Sequence, residues 1–380
     1  MKQYSADFSS FEQKIWLNAA SEGPLPIAAQ KELSEAMEWK SKPYELTLAR
    51  FSSVPRELKK SIARLIEVNE EDVILANSAS YGLYILANGI DWHKGDEILV
   101  MQNDFPTNIL PWLALEEKGV CIRQIQAEDK ILTPEELLAN VTARTRLFCI
   151  SHVHTFTGYE CDVLRLGEIC QAKGIIFVLN VSQSAGTMPV DIGRLPVDAV
   201  VCAGYKWLCG PYGTGFFWMK SELRNSLEYN QVYWTLLPEE VLQGENKLVL
   251  PQMNNSRKYD VFGTANFFNF KPFRAAIDYW LKIGMQEVQG YHSQLIDTFI
   301  DGLNHDQYYL ISPTDKEKRS SLVVLSHRRK EKNQAIHQKL KSQGIYTAFW
   351  KGHLRIAPHV YNTSEEINKL INELNRIPSP

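Results

Sequence analysis

Lys206 is the residue whose setting most clearly promises chemistry. It ends the apolar run 197–205 and leads into a glycine-rich turn, Gly210, Gly213 and Gly215. A β-rich run that stops on a lysine and breaks into glycines puts an amine at the mouth of a buried sheet. Desolvation there disfavours the ammonium, so the amine can act as a nucleophile near neutral pH, as a Schiff-base lysine must. Three other segments carry reactive or binding groups. Asn77, Ser78, Ala79, Ser80, Tyr81 and Gly82 follow an apolar run and open a helix; backbone N–H groups there, with the Ser80 hydroxyl, suit a phosphate. Phe105, between Asp104 and Pro106, can lie flat on a heteroaromatic ring. Asn180, Ser182 and Gln183 close a third apolar run with polar groups.

The elements that must position these groups are strands alternating with helices from about 72 to 219, the signature of an α/β core with a mostly parallel sheet. Strands are expected at 73–76, 97–101, 121–124, 146–151, 175–180, 199–203 and 216–219. Helices are expected at 82–88, 108–117, 134–140 and 163–173. Runs such as Ile175, Ile176, Phe177, Val178 and Leu179 are apolar throughout, as strands covered on both faces should be. Ligands of open parallel sheets bind beyond the carboxyl ends of the strands, where all four segments fall. After about Asn266 the pattern changes to one long helical stretch, 272–303, then strands at 322–326, 347–351 and 353–357 and a helix at 364–374. The expected division is an N-terminal arm (1–20), a large domain (21–265) and a smaller C-terminal α/β domain (266–380).

The chain has 380 residues, 44% hydrophobic and 22% charged, with a formal net charge of -3. That balance gives no reason to expect nucleic acid or an anionic membrane as the main partner. The start lacks a signal-peptide layout, and no apolar stretch approaches the roughly 18 residues of a membrane span. The six cysteines, Cys121, Cys149, Cys161, Cys170, Cys202 and Cys209, form no CxxC pair and no metal-ligand spacing. The expectation is a cytoplasmic protein without a metal site.

A phosphate cradle, a stacking ring, a polar strand end and a lysine at one sheet mouth suggest pyridoxal 5'-phosphate (PLP). Here the chain resembles the class V aminotransferases of PLP fold type I, a group that includes cysteine desulfurases, kynureninases and isopenicillin-N-epimerase-like enzymes. The resemblance runs through 17–26, Ile150 to Val153 with Gly158, and 180–186, which is similar to the family's "DGAQSAG" element. It continues through 204–215 around the lysine, Arg257 with 262–266, and 355–362, similar to "RxSPHxYN". It implies that Lys206 forms the Schiff base and moves protons at the substrate α-carbon. Phe105 takes the ring-stacking place, Asn180 and Ser182 lie at the ring, and Gln183 meets the cofactor's phenolic oxygen. Ala79 through its N–H, Ser80 and Tyr205 hold the phosphate, joined by Thr264 from a second subunit, which implies a homodimer with shared sites. Arg355 pairs with the substrate carboxylate, a task for a planar bidentate donor, and Asn18 and His154 are further candidate substrate contacts.

Two departures matter. The family aspartate at the pyridine nitrogen is Asn180 here, which can hydrogen-bond but supplies no charge. Desulfurases carry a late mobile-loop cysteine, whereas no cysteine follows Cys209, so persulfide-forming desulfurase chemistry is not expected. The expected activity is transamination of a small amino acid. The alternatives are a PLP-dependent C–S lyase or epimerase and, behind both, a catalytically impaired PLP-binding paralogue.

Overall fold

The structure, a computed structural model, describes residues 4–228, 231–237, 241, 244, 247–249, 255–263 and 265–377. In chain order the strands are β1 (Ile15–Trp16), β2 (Val73–Ala76), β3 (Glu97–Met101), β4 (Cys121–Ile125), β5 (Thr145–Ser151), β6 (Ile176–Asn180), β7 (Ala199–Ala203), β8 (Gly215–Met219), β9 (Tyr308–Leu310), β10 (Val323–His327), β11 (Ile345–Tyr346), β12 (Ala348–Trp350) and β13 (His353–Ile356). The helices are α1 (Ile27–Ser41), α2 (Leu48–Ile66), α3 (Ala79–Gly89), α4 (Leu110–Leu113), α5 (Pro134–Asn140), α6 (Val163–Lys173), α7 (Ser221–Ser226), α8 (Phe267–Ile283), α9 (Met285–Gly302), α10 (Asn333–Ser342) and α11 (Ser364–Asn375).

Seven strands form the central sheet in the order β2-β8-β7-β6-β5-β3-β4. β3, β4, β5, β6 and β7 pair in parallel, and β8 runs antiparallel between β2 and β7. All seven strands expected from the sequence are there. Every residue of β2, β3, β7 and β8 is buried, which is why these strands, apart from Glu97 at the start of β3, read as apolar runs. The register brings their ends together: Ser151 pairs with Asn180, and Gly215 with both Ala76 and Ala203. Gly82 lets α3 lie close over this edge, because a Cβ there would meet Val201 at 2.6 Å and the Phe217 ring at 2.8 Å.

A four-stranded antiparallel sheet, β12-β13-β10-β9, follows, and the two-residue β1 pairs in parallel with β11. α11 starts with a reciprocal capping box between Thr363 and Glu366, and α5 with the same device between Thr133 and Glu136.

Some elements differ from expectation. The stretch 272–303 is two helices, because Gly284 takes a φ of +91° between α8 and α9. The helix expected over 108–117 is only α4, with tight 3-10 turns on both sides. α3 begins at Ala79 rather than Gly82, so the phosphate-suited residues form its first turn. α1 and α2, which pack against α8, were not expected at all.

Candidate active site

Lys206 follows β7 on a tight turn and is only 8% exposed. Its Nζ sits 5.0 Å from the centre of the Phe105 ring. Burial, then the nearby Arg355 guanidinium, lowers the amine to a pKa of about 8. The turn is braced from the N-terminal loop, where the Gly23 N–H donates to Tyr205 O at 2.9 Å. A Cβ on Gly23 would lie 2.1 Å from Lys206 O, so only glycine fits that approach.

Arg355, on β13, is 2% exposed. Its Nη2 donates to Asn18 Oδ1 at 3.2 Å and Ser21 Oγ at 2.5 Å, and Nη1 to Thr155 O at 3.4 Å. Its Nε has no hydrogen-bond partner, and the guanidinium has no ion pair among the described residues. Burial depresses even this group, to about 10. A buried arginine with an idle donor and no anion is built to receive one.

The C-terminal motif docks onto the lysine turn. His359 Nε2 donates to Trp207 O at 2.8 Å, and the His359 ring stacks on Trp280 at 4.6 Å. Since Nε2 carries that hydrogen, Nδ1 accepts from the Val360 N–H and from His292 Nε2. Burial keeps both imidazoles neutral.

Gln183 is buried, donating through Nε2 to Ala20 O at 3.0 Å and accepting from Trp207 Nε1 at 2.7 Å. Ser182 Oγ accepts from the Ala203 N–H at 2.9 Å, which ties the end of β7 to the β6 loop. Ala79 and Ser80 begin α3, whose cap position Ser78 makes no side-chain cap, and Ser80 Oγ lies 3.3 Å from Thr107 Oγ1. An uncapped helix start with two hydroxyls beside it is suited to a phosphate. Tyr205 is half-buried, with its ring 5.1 Å from that of Tyr212.

His154 is buried in the loop after β5. Its Nδ1 bonds Thr157 Oγ1 at 2.8 Å and its Nε2 bonds Asn103 O at 3.1 Å, so both ring nitrogens are engaged by loops. Burial lowers its pKa. Thr264 lies outside the described residues.

Sequence reasoning assigned no role to Asp104, Asn108, Ser151 or Ser21. Asp104 and Asn108 lie close to Phe105 in sequence, and Ser21 and Ser151 fall within the family-like stretches 17–26 and 150–153; those were the signals available. No metal-binding cluster of His, Cys, Asp or Glu occurs among the described residues, and no helix among them is long and apolar enough to cross a membrane.

A seven-stranded, largely parallel sheet with a buried lysine at its carboxyl edge is the fold type I architecture of PLP enzymes. The chain matches the family described as Aminotransferase class-V over residues 28–370. It is 26% identical to a probable cysteine desulfurase of Methanothermobacter thermautotrophicus, covering 98% of this chain and 96% of the relative. It is 24% identical to isopenicillin N epimerase of Streptomyces clavuligerus, covering 95% and 94%. Among solved structures it resembles a variant of C-DES with glycine covalently linked to its PLP cofactor, at a TM-score of 0.90, 21% identity and coverage of 99% and 100%. It also resembles the cystine C–S lyase C-DES in complex with its product cysteine persulfide, at a TM-score of 0.87, 22% identity and coverage of 96% and 98%. The chain belongs to the class V aminotransferase family, and its cofactor is PLP. The uncapped start of α3, the buried amine and the idle Arg355 Nε all fit that group and an amino-acid carboxylate beside it.

Proposed function

We propose that the protein transfers the amino group of a small amino acid. The observation that carries this reading is the pairing of a buried Lys206 amine with a buried Arg355 whose Nε lacks a partner. PLP, when bound, supplies the electron-withdrawing ring that labilises bonds at the substrate α-carbon. Lys206 carries the cofactor and, once released, takes and returns the α-proton. Arg355 holds the substrate α-carboxylate, with Asn18 and Ser21 fixing its fork. Phe105 covers one face of the ring, and Gln183 holds the phenolic oxygen. Ala79 N–H, Ser80 and Tyr205 hold the phosphate together with Thr264 of the partner subunit. His154 orders the loop that carries Thr155. A homodimer is supported by the exposed apolar side chains Trp234, Leu248, Val249 and Phe262. A cytoplasmic location is consistent with six free cysteines, five of them buried.

A second reading is a C–S lyase, favoured by the likeness to C-DES. It needs no thiol nucleophile, and Cys209, the last cysteine, is buried with its pKa pushed well above normal. Incubation with L-amino acids and a keto-acid acceptor separates the two. A new amino acid without ammonia supports transfer; ammonia and a keto acid, released with sulfide from cysteine or with cysteine persulfide from cystine, refute it.

A further inference from the structure

The sequence leaves a neutral amide, Asn180, where relatives place a carboxylate, but the structure sets a carboxylate behind it. Asp104 is 3% exposed and accepts four hydrogen bonds, all from neutral donors. Phe105 N–H (2.6 Å) and Ser151 Oγ (2.7 Å) meet Oδ1; Asn108 Nδ2 (2.8 Å) and Ser151 N–H (2.9 Å) meet Oδ2. Asn108 Nδ2 also donates to Ser151 Oγ at 2.8 Å, and its Oδ1 accepts from Asn180 Nδ2 at 2.8 Å. Asn180 Oδ1 accepts from the Ser182 N–H at 3.0 Å.

Neither amide is free to turn over. A carboxylate only accepts, so Asn108 must show it the NH2 group and present its carbonyl to Asn180. Asn180 then answers with its own NH2, and its oxygen is left to the Ser182 N–H. Both amides therefore donate toward Asp104, and donation in that sense makes each amide oxygen more negative. The row ends on Asn180 Oδ1, which keeps one uncommitted lone pair.

We propose that Asp104, acting through Asn108, replaces the missing carboxylate: it locks the Asn180 amide so that Asn180 Oδ1 would accept a hydrogen bond from a protonated pyridine nitrogen and keep the proton there. This rests on the assignment of Asn180 to the ring nitrogen of bound PLP. Asp104 and Asn108 are positioning residues. The titratable groups that feel Asp104 are Lys351, His154, Cys149 and Cys161. Burial keeps the two thiols protonated and His154 neutral, and Lys351 Nζ lies over the Phe156 ring at 4.1 Å. Lys206 and Arg355 are the cations of the site itself. They oppose a ring proton, and Asp104 is the buried anion that answers them.

The test is to load the full-length protein with PLP carrying 15N in its ring and follow that resonance against pH, after measuring cofactor bound per chain. The wild-type nitrogen is expected in the protonated position at pH 7.5. A charge on the order of 8 Å away at an effective dielectric of ~20 shifts a titration by roughly 1 to 1.5 pH units. Asp104→Asn is therefore expected to lower the midpoint for proton loss by that amount, and by less than half as much in an Asn180→Asp background. A wild-type nitrogen in the neutral position overturns the proposal, and needs no variant to fold. So does an unmoved midpoint in an Asp104→Asn protein that retains PLP and its thermal stability. A chain that takes up no PLP overturns both this inference and the function on which it rests.

Discussion

Lys206→Met in the cofactor-free protein is expected to stabilise the fold at neutral pH and to lose that advantage in alkali. The native amine titrates at about 8 rather than 10.5, first because it is buried and then because Arg355 is close. Below about 8 the amine is charged in folded and unfolded chains alike, and the full burial penalty is present. Between about 8 and 10.5 the unfolded chain binds a proton that the native state does not, so wild-type stability rises with pH. Above 10.5 both states are neutral and the penalty is gone. The drop from 10.5 to about 8, at about 1.4 kcal/mol per pH unit, gives a penalty of about 3–4 kcal/mol. Methionine fills a similar volume without a charge. Urea unfolding of both apoproteins at pH 7, 9 and 10.5 measures the gap between them, which cancels the titration of other groups. The variant should lead by about 3–4 kcal/mol at pH 7, and the lead should shrink to under about 0.5 kcal/mol by pH 10.5. A gap that does not change with pH, or a more stable wild type at pH 7, refutes the reasoning. The same depression matters for function: with a pKa of about 8, roughly a quarter of the amine is neutral at pH 7.5, against about one part in a thousand at the ordinary value.

Two further substitutions test the remaining parts of the site and its scaffold. Arg355→Met should weaken binding of an amino-acid substrate by about 100- to 1,000-fold, from the roughly 3–4 kcal/mol of a buried charge pair, while PLP retention is unchanged; equilibrium titration reads both, and a loss below tenfold would contradict the assignment. Gly158→Ala should destabilise the fold by about 2–3 kcal/mol in thermal unfolding. Gly158 has a φ of +76°, and a Cβ there would lie 2.7 Å from both Leu322 O and Ser312 Oγ; a cost under about 0.5 kcal/mol would show that the loop yields instead.

The parts of the molecule that could be read from sequence share a physical cause. Parallel strands covered on both faces must be apolar along their length and can turn polar only at the ligand edge. Lys206, Asn180 and Phe105 therefore announce themselves by following an apolar run. α1 gave no comparable signal, because it is charged on most sides. α2 did carry one: Val54, Leu58, Ile62 and Leu65 recur at helical spacing on one face despite Pro55, a legible stripe that the expected helices omit. β1 and β11 are two residues each, too short for any alternation to show. Gly284 was visible as a residue, but the apolar pattern on its two sides stays in phase and hides the break. The row from Asp104 through Asn108 to Asn180 joins residues 72 apart and exists only because β3, β5 and β6 lie side by side. Asn180 alone suggests an impaired site; with its neighbours it is one end of a wired carboxylate.

The most direct test of amino-group transfer is a half-reaction: the PLP-loaded protein is mixed with an L-amino-acid pool and no keto acid, and the cofactor's absorption is followed. Loss of the absorption band of the lysine-bound cofactor, with lasting accumulation of pyridoxamine phosphate, is the predicted result, because the nitrogen then stays on the cofactor. Return of the starting spectrum after turnover, with ammonia, sulfide or the D-amino acid released, would contradict it.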